Sequence, residues 1–152
     1  MVNLRVCFLG TGSMGSAVLR GLIDSGHPVE LVSATTKSEQ SAANLRALGI
    51  SALSVEQSAD ANSLLSGDAD LVVLGVKPYQ IVDVLKEIAE ELPKNSVVIS
   101  MAGGIELETM AAALPEHKNL IRSMPNTPAM VGQAVTGLAP HPLASAEALD
   151  AA

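Results

Sequence analysis

Short apolar runs alternate along this chain with stretches of helical period. Leu4–Leu9 (LRVCFL) reads as a buried strand closed by Gly10. From about Ser13 to Ser25, Met14, Ala17, Val18, Gly21 and Leu22 follow the i, i+3, i+4, i+7, i+8 spacing of a helix face, and Gly26 stops the helix. Val29–Ser33 (VELVS) reads as a second strand. Ser38 is placed to cap a helix with Ala42, Leu45 and Leu48 on one face and Gly49 at its end. A weak strand near Ile50–Leu53 and a short helix near Ala59–Leu65 follow.

Asp70–Val76 (DLVVLGV) is the strongest strand signal. It is apolar on both faces, as in a parallel sheet covered on both sides. Pro78 suits the first turn of the next helix, which carries Ile81, Val82, Leu85, Ile88, Ala89 and Leu92 and stops before Pro93. Ser96–Met101 predicts a strand, Glu106–Leu114 a helix, and Asn119–Ser123 a further strand leading into the proline-flanked loop Met124-Pro125-Asn126-Thr127-Pro128. Val135–Leu138 is a candidate last strand. Strands at regular βα spacing predict an α/β fold with a doubly wound, mostly parallel sheet. Residues 1–140 are expected to form this domain, with 141–152 as a linker and the start of a helix.

Composition narrows the picture. Of 152 residues 48% are hydrophobic, yet Phe8 and Tyr79 are the only aromatics, so the core must be aliphatic. Stacking platforms for single-stranded nucleic acid are missing. A formal charge of −7 argues against nucleic acid or an anionic membrane as partner. It leaves an anionic cofactor open, because backbone amides and one or two cations can hold a phosphate in an acidic protein. The single cysteine, Cys7, cannot pair within the chain, which fits a reducing compartment. With no signal-like segment and no long apolar run, a cytoplasmic protein is expected.

Ligands of such sheets sit beyond the carboxyl ends of the strands. Gly10-Thr11-Gly12-Ser13-Met14-Gly15, directly after Leu9, matches G-x-G-x-x-G between a strand and a helix. Gly10 permits the tight turn, Gly12 lets a pyrophosphate approach the backbone, and Gly15 lets helix and strand pack closely. The bland alternative is a tight turn without a ligand. After the second strand, Ser33-Ala34-Thr35-Thr36-Lys37 offers hydroxyls and a lysine. Glu30 lies too near the start of its strand to reach a ribose. An acid there would repel a 2′-phosphate, whereas hydroxyls and Lys37 would accept it, so NADP(H) is preferred and NAD(H) is compatible. An ordinary polar loop would look the same.

Lys77, in Val76-Lys77-Pro78, is a cation at the carboxyl edge, for cofactor or for a substrate carboxylate; a plain surface lysine is the alternative. Met101-Ala102-Gly103-Gly104 is either a simple turn or a close approach for the nicotinamide end. Asn126 and Thr127 could offer fixed hydrogen bonds to substrate or to the nicotinamide amide; a structural turn is the alternative. His27, His117 and His141 are scattered, show no metal-ligand spacing and read as solvated surface residues. No metal or strong base is expected.

Taken together, Phe8–Gly15, Val76-Lys77-Pro78, Ser100-Met101-Ala102-Gly103 and Arg122–Ala129 (RSMPNTPA) stand in the order of a known family. Over about residues 4–140 the chain resembles the N-terminal, Rossmann domain of pyrroline-5-carboxylate reductase. The resemblance implies reduction of the C=N bond of 1-pyrroline-5-carboxylate to L-proline with NADPH or NADH, a step of proline biosynthesis. It implies that the glycine turn holds the pyrophosphate and that Ser33, Thr35 and Thr36 lie near the adenosine ribose. Asn62 matches a family asparagine near the cofactor. Gly75 to Pro78 and Met101 to Gly103 would line the nicotinamide half, and Asn126 and its neighbours would border the substrate. Lys77 and Asn126 are the only catalytic candidates.

The chain departs from the family's pattern in two places. Threonines and Lys37 stand where many relatives carry an arginine, and Ala134 stands where a glycine is frequent. The family also has a second, helical domain that forms the dimer and supplies a hydroxyl to the ring nitrogen. A chain of 152 residues would then bind cofactor and reduce the imine poorly, with homo-oligomers only if that domain is present. A catalytically silent NADP(H)-binding module is the alternative. A β-hydroxyacid or deazaflavin-linked reductase would share Gly10–Gly15 but leave Met124–Pro128 unexplained.

Overall fold

The apolar runs become strands that are buried on both sides. In the computed structural model, which describes residues 3–126 and 135–152, β1 is Val6–Leu9, β2 Val32–Thr36, β3 Ser51–Ser54, β4 Leu71–Leu74, β5 Val97–Ser100, β6 Leu120–Met124 and β7 Gly137–Pro140. The helices are α1 Ser13–Asp24, α2 Glu39–Arg46, α3 Ala61–Ser66, α4 Ile81–Ile88, α5 Leu107–Ala113 and α6 Ala146–Ala151. Among the described residues the strands form one sheet in the order β3-β2-β1-β4-β5-β6-β7. The first six pair in parallel and β7 joins β6 antiparallel. This is the expected doubly wound sheet. Its order reverses between β1 and β4, and at such a point the loops leave the sheet in opposite directions and open a crevice.

Alternation along each strand divides the core in two. Cys7, Leu9, Val72, Leu74, Val98 and Leu120 face α4 and α5, where Ile81, Leu85, Ile88 and Met110 are fully buried. Val6, Phe8, Leu71, Val73, Ile99 and Ile121 face the side of α1 and α6. Phe8 is 1% exposed and is the one aromatic side chain in either cluster. Tyr79 is exposed.

Several boundaries differ from the sequence expectation. Val29–Leu31 is a 3-10 turn, and the second strand runs Val32–Thr36 rather than ending at Ser33. Pro28 starts that turn, and the Leu31 amide closes it on the Pro28 carbonyl. The buried face of α1 is Gly15 and Leu19, flanked by the half-buried Val18, Leu22 and Ile23, one residue on from the expected set; Gly21 is exposed. The shift follows from Gly15, which must face the turn before it. Leu48 lies beyond α2 and is exposed. The α4 helix ends at Ile88, four residues short of Leu92, which is still buried.

The expected linker is seated on the sheet. Ser145 caps α6 by accepting from the Ala148 amide, its own amide donates to Asn119 Oδ1, and Ala148 is buried in the second cluster. The histidines also differ from expectation. His117 is buried with its Nε2 3.3 Å from the Pro93 carbonyl, His27 Nε2 lies 3.0 Å from the Leu4 carbonyl, and His141 Nδ1 accepts from the Leu143 amide. They brace chain segments. Among the described residues no metal-binding cluster is present and no helix is long and apolar enough to cross a membrane.

Two measurements check this packing. Phe8→Ala removes the one core aromatic and should cost about 3–5 kcal/mol of unfolding free energy in chemical denaturation. Burial pushes the Cys7 thiol from 9.0 up to about 12, so the folded chain holds this proton where the unfolded chain releases it. Stability relative to a Cys7→Ala variant should therefore be constant below pH 9 and fall as pH rises toward 12. Native Cys7 should also resist thiol reagents until the chain unfolds.

Candidate functional site

Three backbones meet at the reversal point. Gly10 follows β1 with φ +83°, a conformation that L side chains rarely adopt. A Cβ there would stand 2.6 Å from Val76 Cγ1 and 2.9 Å from the Val76 amide nitrogen. A Cβ on Gly15 would stand 2.8 Å from the Gly10 carbonyl oxygen, and one on Gly75 would overlap the same oxygen. So α1, the end of β1 and the end of β4 touch backbone to backbone, and three glycines permit it.

Gly12 is different. Its φ is −73°, and a Cβ would meet nothing within 4 Å. Neither backbone conformation nor internal packing requires glycine at this position. Gly12 caps α1 without a side-chain hydrogen bond, and the first turn holds no acidic residue. The first N–H groups of a helix have no intrahelical acceptor. Gly12 and Ser13 are exposed and Met14 is half-buried, so this turn presents amides and a partial positive charge at the crevice.

The other strand ends lie around it. Thr35 and Thr36 close β2, both buried. Their hydroxyls are engaged inside the protein. Thr35 Oγ1 accepts from the Gly10 amide at 3.0 Å and donates to Asn62 Oδ1 at 2.9 Å, and Thr36 Oγ1 donates to the Ser38 carbonyl at 2.8 Å. The Thr35 carbonyl accepts from both the amide and the hydroxyl of Thr11. Thr35 and Asn62 therefore shape the turn through hydrogen bonds within the protein. Ser33 lies three residues before the end of β2, paired with Cys7, and so stands away from the crevice. Lys37 is exposed just past the strand end.

Two charged residues at this edge were not singled out by the sequence. Glu39 bonds both Arg46 and Ser54, and the Arg46 guanidinium chiefly holds its carboxyl below the ordinary value. Arg46 also donates to the Ala52 carbonyl. The acid nearest Lys37 in sequence is thus neutralised within the protein. Only the i, i+7 spacing of Glu39 and Arg46, two turns apart on one helix, hinted at this.

Beyond β4, Gly75 and Val76 are half-buried and Lys77 and Pro78 exposed; Gln80 Oε1 accepts the Lys77 amide at 3.2 Å and starts the next helix. Met101 lies beside Gly75, with its Cε 3.4 Å from the Gly75 Cβ position, and its amide donates to Leu74. Ala102 is buried with its amide on Ser100 Oγ, and Gly103 is open. The ends of β1, β4 and β5 thus line one crevice. Asn126, past β6, is exposed and its Oδ1 accepts from the Val135 amide at 3.2 Å. Thr127 lies outside the described residues.

Comparison with known proteins agrees with this geometry. Residues 5–104 match the family described as NADP oxidoreductase coenzyme F420-dependent. The pyrroline-5-carboxylate reductase of Escherichia coli is 37% identical over 145 residues, covering 94% of this chain and 52% of the relative. That of Methanosarcina acetivorans is 35% identical over 153 residues, covering 100% and 55%. The structure of a pyrroline-5-carboxylate reductase from Coxiella burnetii superposes with a TM-score of 0.87 at 27% identity, covering 99% of this chain and 54% of that one. The chain spans about half the length of the curated relatives it matches. With its glycine turn at the reversal point of a doubly wound sheet, the chain belongs to the NADP oxidoreductase, coenzyme F420-dependent family, and is similar to pyrroline-5-carboxylate reductases over about half of their length.

Proposed function

We propose that residues 1–140 bind NADP(H) as the dinucleotide half of an oxidoreductase that reduces 1-pyrroline-5-carboxylate to L-proline. The observation that carries the cofactor reading is Gly12. It is a glycine that the protein's own packing does not need, placed where a phosphate would come against uncapped amides. Residues from Leu9 to Gly15 would hold the pyrophosphate. Lys37, free of the Glu39 charge, would face the 2′-phosphate, which favours NADP(H) and leaves NAD(H) compatible. Gly75 to Pro78 and Met101 to Gly103 would form the wall along the nicotinamide half. The family description, an NADP oxidoreductase, supports this preference.

The substrate reading rests on the relatives and on the small chemical demand of the reaction. When bound, NADPH supplies the hydride. A protonated imine is already electrophilic, so the protein needs mainly to hold two reactants in contact and complement charge. The residues at hand suit that task. The crevice floor is close-packed backbone, Lys77 offers a cation for a carboxylate, and Asn126 stands exposed just past β6 as a polar group beside them. The partner is a small cyclic imine carboxylate in the cytoplasm. A net charge of −7 gives no support to a nucleic-acid partner.

Two substitutions separate the glycines. Gly12→Ala adds a methyl into open space, so the unfolding midpoint should hold while NADPH affinity falls about tenfold or more in a fluorescence titration, a loss of at least about 1.4 kcal/mol. Gly15→Ala drives a methyl onto the Gly10 carbonyl and should lower the midpoint as well. Equal affinity of Gly12→Ala and wild type would overturn the site. Lys37→Ala should weaken NADPH about fivefold and leave NADH unchanged, since it removes one charge-assisted contact to the 2′-phosphate.

A further inference from the structure

The amide that opens the dinucleotide turn is held by a line of side chains that ends on the exposed side of α4. The Gly10 amide donates to Thr35 Oγ1 at 3.0 Å, Thr35 Oγ1 donates to Asn62 Oδ1 at 2.9 Å, and Asn62 Nδ2 donates to Glu87 Oε2 at 3.0 Å. Thr35 is 1% exposed and Asn62 6%, so each needs its partners inside the protein. Glu87 lies on the exposed side of α4, the helix that grows out of the Lys77–Pro78 edge. Ser63 Oγ also donates to the Glu87 carbonyl at 3.1 Å, which ties α3 to the same turn of α4.

The direction of this line is set at its outer end. An amide side chain has one donor end and one acceptor end, and can turn over when nothing distinguishes them. A carboxylate only accepts. Glu87 therefore fixes Asn62 with Nδ2 outward and Oδ1 inward. Oδ1 then takes the Thr35 hydroxyl proton, and the Thr35 oxygen is left to accept the Gly10 N–H. Reversing Asn62 would aim Nδ2 at Thr35 Oγ1, leave the buried hydroxyl proton without its acceptor, and force that proton to turn toward the side from which the Gly10 N–H approaches.

We propose that Glu87 is a positioning residue for the dinucleotide turn. By fixing the orientation of Asn62, it holds the Gly10 amide inward and the turn in its binding shape before a cofactor arrives. Glu87 touches neither cofactor nor substrate in this role. The functional part of the inference rests on the proposed binding of NADP(H), whereas the hydrogen-bond direction does not.

The test uses the whole 152-residue chain. Two quantities are read, NADPH affinity by fluorescence titration and exchange of the Gly10 amide by NMR without cofactor. Glu87→Gln keeps an acceptor oxygen and should match wild type within about twofold in both. Glu87→Lys, at an exposed site that accommodates it, offers only donors and reverses Asn62. Affinity should fall and Gly10 exchange should quicken, each about tenfold. Asn62→Asp sets two carboxylates face to face and should do the same. Adding Glu87→Gln to Asn62→Asp restores a donor facing an acceptor, and both readouts should recover to within about threefold of wild type. A merely structural role predicts additive damage in that double variant instead. Additive damage, or unchanged Gly10 exchange in Glu87→Lys, would overturn the proposal. Absence of NADPH binding by wild type would sink the cofactor reading, and the exchange data would still decide the direction of the line.

Discussion

The carbonyl oxygen of Gly10 sits where the end of β1, the start of α1 and the end of β4 converge, and the other parts of the site are arranged around that contact. Backbone approaches this close leave no room for a Cβ on Gly15 or Gly75. They bring the amino end of α1 directly over the sheet edge, so the free amides and the dipole of α1 point into the crevice at the strand-order reversal. Widening the contact by one methyl group would move the helix off its strand and the crevice would lose its floor.

Around this contact the polar groups divide into two sets. One set is spent within the protein. The Gly10 and Thr11 amides, the Thr11, Thr35 and Thr36 hydroxyls and the Asn62 amide all have internal partners, and no buried side-chain polar atom among the described residues lacks one. The other set is left facing the crevice: the opening amides of α1 and the exposed Lys37 and Lys77. Rigidity in the first set is what makes the second useful, because a prearranged cradle loses little entropy when it closes on a ligand.

Much of this was legible in the chain itself. Alternation and period located the strands and helices, since both faces of a parallel sheet must be apolar and a helix must bury one stripe. The glycine turn was legible because its physics is local: a strand, a positive φ, a helix start. The structure departs from that reading where a neighbouring proline or a distant segment decides. Pro28 converted the expected start of β2 into a 3-10 turn and shifted the strand's end from Ser33 to Thr36. His117 reads as a surface residue until the Pro93 segment covers it. The internal partners of the Thr35 and Thr36 hydroxyls are likewise invisible in the chain, because they lie on other elements or follow from how the strand ends.

By itself, then, the sequence determined the element order, the aliphatic core and the glycine-rich turn, because each follows from spacing between near neighbours. Tertiary structure alone decided which glycine answers to the protein and which to a ligand. Gly10, Gly12 and Gly15 are one motif in sequence, and only the positions of Val76 and of the Gly10 carbonyl distinguish them. It also decided that Glu39 is neutralised by Arg46 and that Glu87 reaches Asn62 across 25 residues. Those are side-chain meetings between separate elements, and such meetings exist only once the sheet has brought the elements together.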